Sequence, residues 1–228
     1  VGRQVAESLL QHHDISKDEA RARVIELFRK LGIPDPERRY EAYPHEFSGG
    51  MRQRVMIAIA TVCEPDLVIA DEPTTALDVT IQAQIMTLLK DLQKTADKTF
   101  ILITHNMALV SEVADHVAVM YLGRVVEYGA VDEVLRDPRH PYTKALMASV
   151  PTLDADKDVE LQTVDGQTPS PAEVTIGCEF AGRCSYAIDA CREKTIEMKE
   201  ISKTHEVRCI RLDANGKLPV LAGGAHNE

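Results

Sequence analysis

The sequence predicts an α/β fold with a parallel sheet, and three observations carry that expectation. Leu67-Val68-Ile69-Ala70 is an unbroken apolar run, bounded by Pro65-Asp66 and closed by Asp71-Glu72. Such a run reads as a short strand buried on both faces, the kind found in parallel sheets. Phe100-Ile101-Leu102-Ile103 repeats the pattern and runs into Thr104-His105. Around these runs lie stretches whose apolar residues recur at helical spacing, including Ala20, Val24, Leu27, Phe28 and Leu31, and again Ile81, Ile85, Leu88, Leu89 and Leu92.

Taken in order, residues 1–46 read as helical. Ser16 and Glu19 have capping-box spacing, and Gly32 with Pro34-Asp35-Pro36 ends the helix they open. Ser48-Gly49-Gly50 precedes Val55-Met56-Ile57-Ala58-Ile59-Ala60, a second helix. Two glycines and a Ser at a helix start can cradle a phosphate, because the backbone approaches closely and the helix N-terminus favours an anion. A plain Ser cap explains the same residues. Arg52 and Arg54 read first as solvated or acid-paired helix residues, and Cys63 as a small buried residue on the helix before the first strand. Asp71 and Glu72 stand at a strand's carboxyl end, where open parallel sheets bind ligands. Two adjacent acids there suit Mg²⁺-dependent phosphoryl transfer, one holding the metal and one polarising water; two solvated acids capping a strand are the plain alternative.

Asp78 opens the next helix as a cap. His105 follows the second strand. Val117–Leu122 and Val125–Gly129 read as two strands about a turn at Gly123-Arg124, followed by short helices at Val131–Arg136 and from His140-Pro141. Past about residue 151 come the charged linker Asp154–Asp158, an extended Thr168-Pro169-Ser170-Pro171, and four cysteines: Cys178, Cys184, Cys191 and Cys209.

The 228 residues allow one or two domains, and 44% apolar residues suffice for a core. A formal net charge of −10 argues against binding nucleic acid or anionic lipid. No apolar run approaches the roughly 18 residues needed to cross a bilayer. The chain opens on Val with no signal peptide and reads as an excised or partial sequence.

In order, Phe47-Ser48-Gly49-Gly50-Met51-Arg52-Gln53-Arg54, the run ending in Asp71-Glu72, Thr75-Ala76-Leu77-Asp78, and Thr104-His105 closely resemble the signature loop, Walker B segment, D-loop and switch His of the ATP-binding-cassette ATPases. His140-Pro141-Tyr142-Thr143, with Gly177-Cys178-Glu179-Phe180, Arg183-Cys184, Cys191 and Cys209, narrows the resemblance to the dipeptide/oligopeptide importers. That resemblance implies a P-loop-type ATPase core within residues 1–150 (helical subdomain about 1–62, Walker B to switch His about 63–122) and a four-Cys extension over 151–228. It implies Glu72 and His105 as catalytic, Asp71 as the Mg²⁺ ligand, Ser48, Gly49 and Gly50 facing the γ-phosphate of ATP held by a second subunit, and Asp78 near that subunit's site. Met51 stands where many members carry Gln or Glu.

No Gly-x-x-x-x-Gly-Lys-Ser/Thr occurs, so the phosphate loop, adenine-stacking aromatic and Gln loop are expected upstream of residue 1, and ATP hydrolysis is expected of the whole subunit rather than of this stretch. The implied partners are a second ATPase (homo- or heterodimer), two transmembrane permeases and, indirectly, an extracytoplasmic peptide-binding protein, with the subunit on the cytoplasmic face of the membrane and no nucleic acid. The rivals are an ATPase of a related importer (nickel or another solute), a non-transport cassette ATPase of DNA repair or translation, and a metal-binding interaction module. In a cytoplasmic protein, clustered cysteines point to metal or redox chemistry. The Cys178–Cys184 and Cys184–Cys191 gaps are wider than the tight pairs zinc prefers. A [4Fe–4S] cluster is therefore ranked first, Zn²⁺ second and packed thiols last, with His205 as a possible substitute ligand.

Overall fold

Two strands in register set the position of the first group of candidate residues. In the computed structural model, which describes residues 1–75, 77–96, 98–150, 166–170, 172–173 and 176–220, β1 (Leu67–Asp71) pairs in parallel with β2 (Thr99–Ile103), Leu67 opposite Thr99 and Asp71 opposite Ile103. Ala76, the 154–158 linker and Pro171 lie outside the described residues. These residues fall into two compact units, Val1–Asn106 and Met107–Glu228.

In the first unit, α1 (Gly2–His12), α2 (Lys17–Lys30) and α3 (Pro36–Glu41) pack on one another, and α1 and α2 also pack on α4 (Gly49–Thr61). Ser16 caps α2, its hydroxyl accepting from the Glu19 amide. The face read from spacing is buried: Ala20, Val24, Phe28 and Leu31 are all fully enclosed. Pro36 sits at the first turn of α3, where its missing N–H costs nothing, so one proline of the break also starts a helix. Arg54 turns back from α4 to bond the Leu31 carbonyl just past α2, and its other nitrogen reaches Gln84. It is a tie between helices rather than a solvated residue. Cys63 lies beyond the end of α4 in a turn and is only half-buried.

The expectation that both strand runs are buried on both faces is corrected. Val68 is buried, but Leu67, Ile69, Ile101 and Ile103 are exposed, Ile69 by 61%. The described sheet of this unit has two strands and is covered on one face, so burial alternates as the pleat dictates. Between the strands runs α5 (Val79–Ala96), which buries Ile85, Met86 and Leu89.

The second unit begins with α6 (Met107–Val113), then the hairpin β3 (His116–Tyr121) and β4 (Arg124–Ala130). Tyr121 pairs with Arg124, so the turn is Leu122-Gly123, one residue earlier than expected. Both turn residues have positive φ (48° and 78°), the conformation whose twist suits a two-residue hairpin. Next come α7 (Val131–Arg136) and α8 (Pro141–Ala148), both where the sequence placed them. The tail adds the short α9 (Ala190–Glu193), β5 (Lys199–Ser202) and β6 (His205–Val207). Here β6 joins β4, giving an antiparallel sheet of order β3-β4-β6-β5. The tail thus adds two strands to the second unit's sheet.

Its core gathers Val119, Tyr121, Val126, Val134 and Phe180. The Tyr121 ring lies 4.7 Å from Tyr142 and 5.3 Å, edge-on, from Phe180, and Tyr142 and Phe180 are 5.4 Å apart. The His-Pro-Tyr-Thr and Cys-x-Phe segments thus contribute rings to one cluster, each contact adding about 0.5–1.5 kcal/mol beyond area burial.

Candidate active site and thiol cluster

The strand register carries Glu72 and His105 together. Just past β1, the Glu72 amide donates to the Ile103 carbonyl of β2 at 2.9 Å. Glu72 itself has φ 47°, a left-handed conformation that a residue with a Cβ adopts only at a cost. That turn directs its carboxylate toward β2's end, where Oε1 meets His105 Nδ1 at 2.7 Å. Oε2 accepts from the Thr75 hydroxyl at 3.0 Å. The His105 hydrogen bond, seconded by that of Thr75, holds the Glu72 carboxyl below its ordinary range, although partial desolvation pushes the other way. The side chain is an ionised, oriented and accessible base.

The sequence marks Thr75 only as the start of the Thr75–Asp78 segment, and its bond to Glu72 follows from a turn that no periodicity reveals. Gln82 is a second residue missed by sequence. From the first turns of α5 its amide donates to the Thr74 and Leu77 carbonyls, both at 3.2 Å, and so fixes the segment after Glu72. Asp71 ends β1 exposed, with its carboxylate beside this pair in sequence.

Ser48 and Asp78 serve as helix caps. The Ser48 hydroxyl accepts from the Met51 amide at 3.3 Å, and Asp78 Oδ1 accepts from the Ile81 amide at 3.0 Å. Gly50 has a packing reason beyond close approach to a phosphate. A Cβ there would lie 2.8 Å from the Ile81 side chain, and one on Gly49 would lie 3.6 Å from Leu77. Gly50, rather than Gly49, lets α4 meet the start of α5. No contact links Ser48 to Glu72 or His105 among the described residues, so the chain presents these groups as separate parts.

In the second unit, Cys178, Cys184, Cys191 and Cys209 line one cavity of about 10 Å³, together with His140, Arg211 and small or apolar side chains. Gly177 (φ 92°) turns the chain into it: a Cβ would stand 2.5 Å from the Cys191 carbonyl, the group that accepts from the Cys178 amide at 2.7 Å. Burial pushes the Cys178 thiol up to about 12 and Cys209 up to about 11, and raises Cys184 as well. All five cysteines are unbridged. The four thiols converge, yet among the described residues no three of His, Cys, Asp or Glu stand in a metal-holding arrangement.

His205 is excluded as a substitute ligand, since it points elsewhere. Its Nε2 donates to Oε1 of the fully buried Glu127 at 2.8 Å, and its Nδ1 faces Glu133 at 4.0 Å. Glu127 also accepts from the Arg139 amide (2.6 Å) and the His140 amide (2.9 Å). This buried carboxyl holds β4, β6 and the start of α8 together.

Glu72 against His105 at the carboxyl ends of adjacent parallel strands, with Ser48 and Asp78 capping the neighbouring helices, is the arrangement that the resemblance to the ATP-binding-cassette ATPases leads one to expect. The comparisons agree. The ABC transporter family model matches residues 2–75, and that of the oligopeptide/dipeptide transporter C-terminal region matches residues 126–191. The oligopeptide transport ATP-binding protein OppD of Bacillus subtilis is 53% identical over 91% of this chain and 58% of its own length. The dipeptide transport ATP-binding protein DppD of the same organism is 48% identical over 99% of this chain and 67% of its own. Among solved structures, cbiO1 of Clostridium perfringens, part of the ABC transporter complex cbiONQ, superposes with a TM-score of 0.50 at 35% identity, covering 58% of this chain and 51% of that one.

The chain belongs to the ATP-binding subunits of the oligopeptide/dipeptide ABC transporters. It spans between about half and two thirds of the length of these relatives. No described helix is long and apolar enough to cross a membrane.

Proposed function

We propose that this chain is part of an ATPase that energises import of dipeptides or oligopeptides. The observation that carries the proposal is the 2.7 Å contact between Glu72 and His105 at the strand ends. Glu72, ionised and fixed by His105 and Thr75, polarises the water that attacks the γ-phosphate of ATP. His105 keeps that carboxylate in line and, once substrate is present, offers its other ring nitrogen to the phosphate. Asp71 would hold Mg²⁺. A single exposed carboxylate suits this ion, which takes its remaining ligands from substrate phosphates and water, so the lack of a three-residue cluster does not count against it. When bound, Mg²⁺ neutralises charge on the phosphate oxygens.

Ser48, Gly49 and Gly50 close over ATP held by a second ATPase subunit, and Asp78 lies near that subunit's site. The assembly includes two permeases and an extracytoplasmic peptide-binding protein, with the ATPase on the cytoplasmic face. Functionally, residues 1–150 are the ATPase part and 151–228 the extension. The relatives' names, oligopeptide and dipeptide transport, support the peptide reading over nickel or another solute.

The four thiols form a soft donor set for a metal centre, [4Fe–4S] first and Zn²⁺ second. Their convergence on one cavity supports this.

The test uses the whole protein with its partner ATPase. Glu72→Gln should keep ATP binding within a few-fold and lower turnover by about 10²–10⁴, the usual worth of a positioned base. Turnover at the parental rate overturns the assignment.

A further inference from the structure

We infer that Gln82 is a positioning residue for hydrolysis: its side-chain amide locks the turn after Glu72, and that turn holds the Thr75 hydroxyl on the second oxygen of the base. This deepens the proposed reading of Glu72 as the base and rests on it.

A base that aims a water needs the plane of its carboxylate fixed. The terminal torsion of a Glu side chain is broad and roughly two-fold, so a single hydrogen bond leaves the group free to pivot about the bonded oxygen. Glu72 has one bond on each oxygen: His105 Nδ1 at Oε1 (2.7 Å) and the Thr75 hydroxyl at Oε2 (3.0 Å). Together they define the plane and still leave each oxygen a lone pair for water. The His105 side chain is 85% exposed, so packing does little to steady that side of the carboxylate. The other side depends on where the turn puts Thr75.

Thr75 is itself exposed. Its amide reaches the Glu72 carbonyl, and the Leu77 amide reaches the Thr74 carbonyl, each at 3.2 Å. Gln82 adds two more bonds to the same turn. Carbonyl oxygens only accept, so the group facing them is the Gln82 NH₂, whose two hydrogens serve Thr74 and Leu77 on either side of the turn, again at 3.2 Å. Each of these bonds is at the long end of the usual range, so the turn is held by their number, and Gln82 supplies two of the four. Its own footing is firm. The Gln82 backbone amide bonds the Asp78 carbonyl at 2.9 Å, and Ile85, Met86 and Leu89 seat α5 in the core. A line of contacts thus runs from a packed helix, through one side-chain amide and a turn, to the hydroxyl on the base.

The test is steady-state turnover of Mg²⁺-ATP by the whole protein with its partner ATPase. Gln82→Ala should lower kcat by about 10- to 100-fold, the range that a misplacement of about 1 Å brings. KM for ATP should stay within a few-fold, because the residue acts on the aim of the base and not on nucleotide binding. Gln82→Glu keeps the length and removes the donor, and should lose as much. Thr75→Val keeps the shape and removes the hydroxyl, with the same result. Because both residues act along one path, the double variant Gln82→Ala/Thr75→Val should be no slower than the slower single one. In a Glu72→Gln background, Gln82→Ala should change nothing further.

Parental kcat in both Gln82 variants, or a rise in KM alone, overturns this inference and leaves Glu72 as the base. A double variant whose loss is the product of the two single losses overturns the route through Thr75. Glu72→Gln working at the parental rate overturns the base reading and this inference with it. Should Gln82→Ala fail to fold, Thr75→Val decides from its exposed position, and parental kcat there refutes the positioning role.

Discussion

Glu127 gives the most searching test of the second unit's architecture. Its side chain is fully buried and accepts from three donors: the Arg139 and His140 amides and His205 Nε2. Glu127→Ala leaves two backbone N–H groups and one imidazole without an acceptor. Each orphaned buried donor costs about 1–3 kcal/mol, and removing one side of a buried polar pair costs about 3–5 kcal/mol in total. Partial hydration of the vacated space lowers the simple sum, so the expected loss is about 4 kcal/mol. Glu127→Gln keeps one acceptor oxygen and sets an NH₂ against a donor, for about half that loss. Glu133→Gln is the control, because Glu133 is 43% exposed where it contacts Ser202 and His205, and it should cost under about 1 kcal/mol. Urea unfolding measures the losses. Hydrogen exchange at the Arg139 and His140 amides localises them, with protection expected to fall in Glu127→Ala and Glu127→Gln alone. A loss below about 1 kcal/mol in Glu127→Ala, with those amides still protected, refutes the reasoning.

Three further outcomes are expected. The His105 hydrogen bond is the main cause of Glu72's lowered pKa, so His105→Ala should move the Glu72 titration, followed by side-chain carboxyl NMR, upward toward the ordinary value. For a depressed carboxylate the stabilising bond is present above the ordinary value of 4.5 and is lost only as pH falls through the lower folded value. Loss of turnover between pH 6 and about 5 therefore does not come from Glu72. Gly177→Ala meets both a φ of 92° and the Cys191 carbonyl, so it should lower the melting temperature and increase alkylation of Cys178 by a thiol reagent. Arg54→Ala removes the tie to the Leu31 carbonyl and should cost about 1–2 kcal/mol in urea unfolding.

What the sequence made legible was local. The Ser16–Glu19 cap, the buried face of α2, the bounds of α7 and the proline start of α8 all depend on neighbours a few residues apart. The order of motifs identified Glu72 and His105, but their contact depends on strand register, which the apolar runs do not encode. The same runs misled on burial, because full burial of a strand depends on what covers each face. Glu127 was missed although a Glu inside Val125–Gly129 is an odd residue for a strand interior. Its partner His205 lies far along the chain, in a three-residue strand too short to stand out. The cysteines were legible as a group, yet the aromatic cluster joining them to Tyr142 and Tyr121 appears only in three dimensions.

The parallel register of β1 and β2 has a mechanical consequence. Glu72 is anchored by its amide to Ile103, while His105 stands two residues past the end of that strand. Sliding one strand past the other by a single residue, about 3.3 Å, would break the carboxylate–imidazole contact and turn each side chain to the opposite face. The pair is thus a gauge of shear: it closes at one alignment of the two strands and opens at the next. A force transmitted along either strand would reach the reacting groups as a change of alignment, without any cleft having to open.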